Sequence, residues 1–139
     1  MTTLINAVAS TGLVNTPDGS GIIKVQSNGV TTNALAWVYF NGGALSTTAG
    51  NILVSYNVSS ITVNGTGDYT VNFTNSLSSS NYPWSGSAQT VDSVAGNYFV
   101  VAGSRITAPS TSALRMNTFA SNSGSLASLQ YVSVIVFGN

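Results

Sequence analysis

The chain contains no cysteine, no histidine and no glutamate, and only three basic and three acidic side chains in 139 residues. Without cysteine there is no disulfide and no thiolate metal site, and cysteine usage carries no information on redox compartment. Without histidine neither a Ser-His-Asp nor a Cys-His arrangement can be built, and the usual general base near neutrality is missing. A carboxylate-pair glycosidase would have to use two of Asp18, Asp68 and Asp92. Asp18 and Asp68 lie in turn-like sequence and Asp92 follows a strand candidate, so nothing pairs them. The expectation is a protein with no catalytic residues, no bound cofactor and no metal.

Charge is equally scarce. Charged residues make up 4% of the chain, against about 25% in ordinary soluble domains. Lys24, Arg105 and Arg115 balance the three aspartates, giving a formal net charge of zero. With no basic cluster there is no electrostatic attraction for nucleic acid or anionic lipid, so neither is an expected partner. Near-zero net charge also removes the repulsion that keeps copies of a protein apart, and self-association is the natural expectation. So few basic residues leave trypsin-like proteases few sites, which suits work outside a cell. The longest strongly apolar run, Val134 to Phe137, is far too short to span a bilayer. The opening "MTTLINAVASTG" lacks the basic region and long apolar core of a signal peptide. A soluble chain with no visible export signal is expected.

What the chain does have is apolar content and uncharged polarity. Hydrophobic residues make up 43%, and the polar positions fall to 22 Ser, 16 Thr and 15 Asn. This length points to one domain, burying roughly 68–70% of its unfolded surface. Disorder is excluded by the same numbers, since it goes with low hydrophobicity and high charge.

Period-two alternation dominates. In "SSITVNGTGDYTVNFT" (59–74), Ile61 and Val63 alternate with polar residues, as do Tyr69, Val71 and Phe73. Asn64-Gly65-Thr66-Gly67 between them supplies residues that tolerate positive φ, so the stretch predicts a hairpin, with Asp68 accepting turn N–H groups. Further strands are predicted at 21–26, 36–40, 52–56, 85–91, 98–102, 113–120 and 129–137, each bounded by Gly, Asn, Ser or Pro clusters. No helical stripe with caps appears. Strands at this spacing predict an all-β fold, a small jelly-roll-like β-sandwich or barrel. Residues 21–139 are read as the single β domain. Residues 1–20 mix Leu4, Ile5, Val8, Leu13 and Val14 with small polar residues at no steady period, and are read as an extended N-terminal attachment arm.

The last strand is apolar on both faces, with Leu129, Tyr131, Ile135 and Phe137 on one and Val132, Val134 and Val136 on the other. One face of a two-layer sandwich normally meets water. Either the strand is packed on both sides within one chain, or a subunit interface covers its second face, with Val132, Val134 and Val136 as candidates. Trp37, Tyr39, Tyr82 and Trp84 could form a stacking platform for sugar. Strand aromatics more often serve core or interface. Tyr82 and Trp84, in the loop "SNYPW", are the candidates for an exposed recognition loop.

Other local patterns are weak. "NTPDGSG" (15–21) lacks the dense carboxylates of a calcium loop and reads as a Pro-Asp-Gly turn. "GSGIIK" precedes a strand and matches no phosphate-cradle spacing. Sequons at Asn57, Asn64 and Asn72 carry no signal, because this composition gives roughly four by chance.

Five stretches carry a resemblance: "DGSGIIKVQSNGV" (18–30), "NALAWVYFNG" (33–42), "SYNVSSITVNGTGDYTVNFT" (55–74), "NYPWSGSA" (81–88) and "VSVIVFGN" (132–139). Together they resemble bacteriophage virion structural proteins of the tail-fibre and capsid-decoration types. The resemblance implies a small surface β module, often trimeric, located in the virion and without catalytic residues. Two functions follow as expectations. One is a homotrimeric decoration (cement) protein bound to the phage major capsid protein. The other is a tail-fibre tip, partnered by tail components and binding a host glycan or receptor. A shaftless chain with its own start Met favours the first.

Overall fold

A computed structural model describes residues 26–27, 30–31, 33–43, 52–90, 99–104, 106–121 and 123–138. Eleven strands and no helix are found among them: β1 (Gln26–Ser27), β2 (Val30–Thr31), β3 (Ala34–Phe40), β4 (Ile52–Tyr56), β5 (Val58–Gly65), β6 (Asp68–Phe73), β7 (Trp84–Gln89), β8 (Phe99–Gly103), β9 (Ala113–Ala120), β10 (Ser125–Leu126) and β11 (Tyr131–Phe137). The all-β expectation is met, and the predicted bounds of β4 and β9 match residue for residue. Most of the predicted strand 21–26, and the proposed arm with Leu4, Ile5, Val8, Leu13 and Val14, lie outside the described residues.

Two antiparallel sheets make a sandwich. The first has the order β4-β3-β11-β7. In the second, β5 pairs β6 and β6 pairs β9. Met116 of β9 faces both Tyr69 of β6 and Gly103 of β8, so β6 and β8 occupy opposite edges of β9. Ala120 faces both Ser125 and Phe99, which puts the short β10 on the β6 side. β1 and β2 form a separate two-stranded pair. The jelly-roll variant is not confirmed by this connectivity: in-sheet hairpins join β3 to β4, β5 to β6 and β8 to β9, where a jelly roll nests two Greek keys.

The core follows from alternation. Ala36, Val38 and Phe40 of β3 pair in register with Val136, Val134 and Val132 of β11. These six meet Ile61, Tyr69, Val71, Phe73, Leu114 and Met116 from the second sheet, and all twelve are buried. Phe40 and Tyr69 meet edge to face across the layers, ring centroids 5.2 Å apart. The Tyr69 hydroxyl donates to the Gly42 carbonyl at 2.7 Å, just past the end of β3. Among the described residues every buried side-chain nitrogen or oxygen has a partner.

Two corners set the geometry. Asn57 joins β4 to β5 and adopts φ +54°, a left-handed conformation that Asn tolerates better than other non-glycine residues. Its amide nitrogen donates to the carbonyls of Leu35 and Asn75, and its oxygen accepts from the Asn75 N–H at 2.8 Å, so the passage between sheets is pinned at three points. Gly67, in the predicted hairpin turn, has φ +63°, and a Cβ there would fall 2.6 Å from the Thr118 carbonyl oxygen. Both the backbone angle and the close approach of β9 require glycine.

Candidate interaction face

The two sheets turn very different faces outward. On the second sheet the outward side chains of β5 and β6 form a hydrogen-bonded ladder. Asn72 donates to the hydroxyls of Ser60 and Thr62, both at 3.0 Å, and Asn64 donates to Thr70 at 2.9 Å. Asp68 accepts two bonds from Arg115, at 2.9 and 2.7 Å, and one from Asn64. The Arg115 hydrogen bond holds the Asp68 carboxyl below the usual carboxylate range, against a smaller opposing effect of burial. Asp68 was expected to cap turn N–H groups; its side-chain partners are instead Arg115 and Asn64. The three sequon asparagines all spend their amides on such bonds.

The first sheet has no comparable ladder. Pairing register places Tyr56, Trp37, Ile135 and Ser85 in one row across its outward face. Val54, Tyr39, Ser133 and Ser87 form the next row, and Tyr131 and Gln89 begin a third. Tyr39 and Tyr131 stack, with planes 15° apart and centroids at 5.9 Å. Val54 and Tyr56 are 51% and 55% exposed, and Leu53, the extra residue at a bulge opposite β3, is 53% exposed. Toward β7 the face sinks into a groove of about 440 Å³ lined by Trp37, Tyr39, Ser85, Ser87, Ser133 and Ile135. At its floor the hydroxyls of Ser87 and Ser133 bond each other at 2.8 Å. Asp68 and Arg115 are the only charged side chains among the described residues, and both lie on the other sheet, so the described residues of this face are neutral.

Several expected site residues move. Val132, Val134 and Val136, candidates for a subunit interface, are 0%, 3% and 1% exposed and belong to the chain's own core. The reason is pairing: β11 lies between β3 and β7, and its valines share a face with Ala36, Val38 and Phe40. The outward set of β11 is therefore Tyr131, Ser133, Ile135 and Phe137, while Leu129 precedes the strand and is buried.

Tyr82 and Trp84 do not form an exposed recognition loop. Tyr82 is buried, packs edge-on against Phe73, and donates toward the carbonyls of Ser110 and Ala113. Burial pushes its phenol up to about 12. Trp84 opens β7 and packs, half-buried, against the core. Trp37 and Tyr39 do lie together on an outward face, joined by Tyr56 from the next strand and by Tyr131 from a strand distant in sequence. A usable signal was present in "ILVSY", where Val54 and Tyr56 alternate around Ser55. Among the described residues no group of three or more His, Cys, Asp or Glu side chains could hold a metal.

No family model, curated protein or solved structure matches the chain.

Proposed function

We propose that this protein is a non-enzymatic structural protein of a bacteriophage virion, a homotrimeric decoration (cement) protein that stabilises the capsid shell. The observation that carries the reading is the neutral, aromatic outward face of the β4-β3-β11-β7 sheet, opposite a sheet whose polar groups are already bonded to one another. A domain with one self-satisfied face and one apolar face is organised to be covered, not to turn over a substrate. The resemblance to virion structural proteins supplies the setting. Stabilisation of the shell is then binding linkage: the protein binds assembled capsid and not its disassembled subunits. Contacts made by a chain with so few charges are apolar and hydrogen-bonded, so moderate salt leaves them in place.

The groove beside Trp37 and Tyr39 supports a second reading, a tail-fibre tip that binds a host surface glycan. Aromatic walls over serine hydroxyls offer a sugar both stacking and hydrogen bonds. Labelled antibody in electron microscopy of particles separates the two. Label across the icosahedral shell supports decoration, and label confined to the tail rejects it. Particles lacking the protein are expected to assemble and adsorb to cells but to release DNA at lower temperature; normal particle stability with adsorption lost would favour the fibre tip.

A further inference from the structure

The outward face of the β4-β3-β11-β7 sheet has two halves of opposite relief. On the β4 side Leu53, Val54 and Tyr56 project, each about half exposed. On the β7 side the small outward residues Ser85 and Ser87 leave the groove. We infer that a second copy of this chain covers this face, seating its projecting β4 strip in the β7-side groove of its neighbour.

Four features on the face select that occupant. Its described residues carry no charge, so among them an identical face brings no like-charge repulsion, whereas a charged partner would find no counter-charge there. Its central polar groups, Ser87 and Ser133, already bond each other, so a dry apolar cover leaves one hydroxyl proton rather than two without an acceptor. A sugar, by contrast, would have to compete with that bond for the two hydroxyls. Third, β4 is paired on one side only among the described residues, and "ILVSY" has none of the Lys, Pro or charge that normally blunts an edge strand. Finally, the area is adequate. Four strands at about 4.8 Å spacing and six residues at about 3.4 Å rise span roughly 400 Å² before side-chain relief. Two copies therefore remove about 800 Å² of flat area, which the relief of the strip and groove raises toward the roughly 1,000 Å² of a specific interface.

The inference deepens the proposed assembling role and rests on it for its setting, but its test needs only the purified full chain. Light scattering after size exclusion, at micromolar concentration, is expected to give two or more multiples of the 14.2 kDa chain mass. Tyr56→Lys places a charge on the projecting strip, and Ser87→Trp fills the groove from the opposite strand. Each is expected to weaken association at least tenfold while circular dichroism and thermal unfolding show the fold intact. Thr62→Lys, on the ladder face, is expected to assemble as wild type. A wild-type mass of a single copy overturns the inference, as does assembly unaffected by both face variants or equally lost in Thr62→Lys. A single-copy protein whose tryptophan fluorescence responds to a neutral oligosaccharide also overturns it and assigns the face to sugar. Antibody labelling of particles is independent of all these outcomes, so failure of this interface and failure of the virion reading are distinguishable.

Discussion

Tyr69 ties the two sheets together, and replacing it by Phe isolates the tie. The side chain starts on β6 and is fully buried; its ring meets Phe40, and its hydroxyl reaches the Gly42 carbonyl at 2.7 Å. Tyr69→Phe keeps the ring contact and leaves that carbonyl without its donor in the core. Losing the bond and stranding the acceptor costs about 2 kcal/mol. For a domain of this size that corresponds to roughly 6–10 °C in Tm. Tyr69→Ala also removes the ring and is expected to cost about 3–5 kcal/mol. Urea unfolding followed by circular dichroism measures both at one protein concentration, because assembly would otherwise shift apparent stability. Gly42→Ala tests the same point from the other side. Its Cβ would lie 2.7 Å from the Tyr69 hydroxyl oxygen and 2.8 Å from the Leu129 carbonyl oxygen. Removing the hydroxyl relieves only the first clash, so the double variant is expected to be less destabilised than the sum of the singles. Tyr69→Phe within about 0.5 kcal/mol of wild type, or strict additivity with Gly42→Ala, would refute the reasoning.

Three further outcomes follow from the buried and bonded groups. The Asp68 carboxyl titrates below its unfolded value, so its stabilisation is complete above about pH 3.9 and is lost as pH falls through the lowered folded value; acid unfolding of Asp68→Asn should lack that component. Tyr82 titrates at about 12 in the fold, above its unfolded value of about 10, so its contribution is complete below about pH 10 and fades as pH climbs toward the folded value. An alkaline titration of stability in Tyr82→Phe should be flatter there, and an unchanged slope would contradict the burial argument. Val134→Lys buries an unpaired ammonium and should abolish folding outright, whereas Val54→Lys, on the exposed edge, should remain folded by circular dichroism.

Much of the fold was legible because alternation and turn residues are local. The hairpin of β5 and β6 is set by Ile61, Gly67, Val71 and their neighbours, and β4 and β9 by the turn residues that flank each of them. Which face of β11 is buried was not legible. Val132, Val134 and Val136 alternate with Tyr131, Ser133, Ile135 and Phe137, and both sets are largely apolar, so pattern alone cannot choose. Pairing with β3 chooses, and β3 begins almost a hundred residues earlier. The same holds for the Arg115 bond to Asp68, which exists only once β9 lies beside β6. Tyr82 looked exposed because it sits among serines before a proline; its partners Ser110 and Ala113 come from a distant loop and strand. The interaction face was half visible in Trp37 and Tyr39, and the register of four strands completes it.

The Asn, Ser and Thr ladder on the second sheet has a consequence for where such a molecule can work. Short side chains lose little rotamer entropy when fixed, so the ladder stiffens the surface at lower entropic cost than Lys and Glu pairs would. It contains no proton-exchanging partner apart from Asp68. With no histidine and no cysteine in the chain, the side chains that ordinarily change charge near neutrality are missing. A host compartment or an external fluid that changes its acidity near neutrality therefore finds no histidine or cysteine switch in the chain through which to loosen its grip.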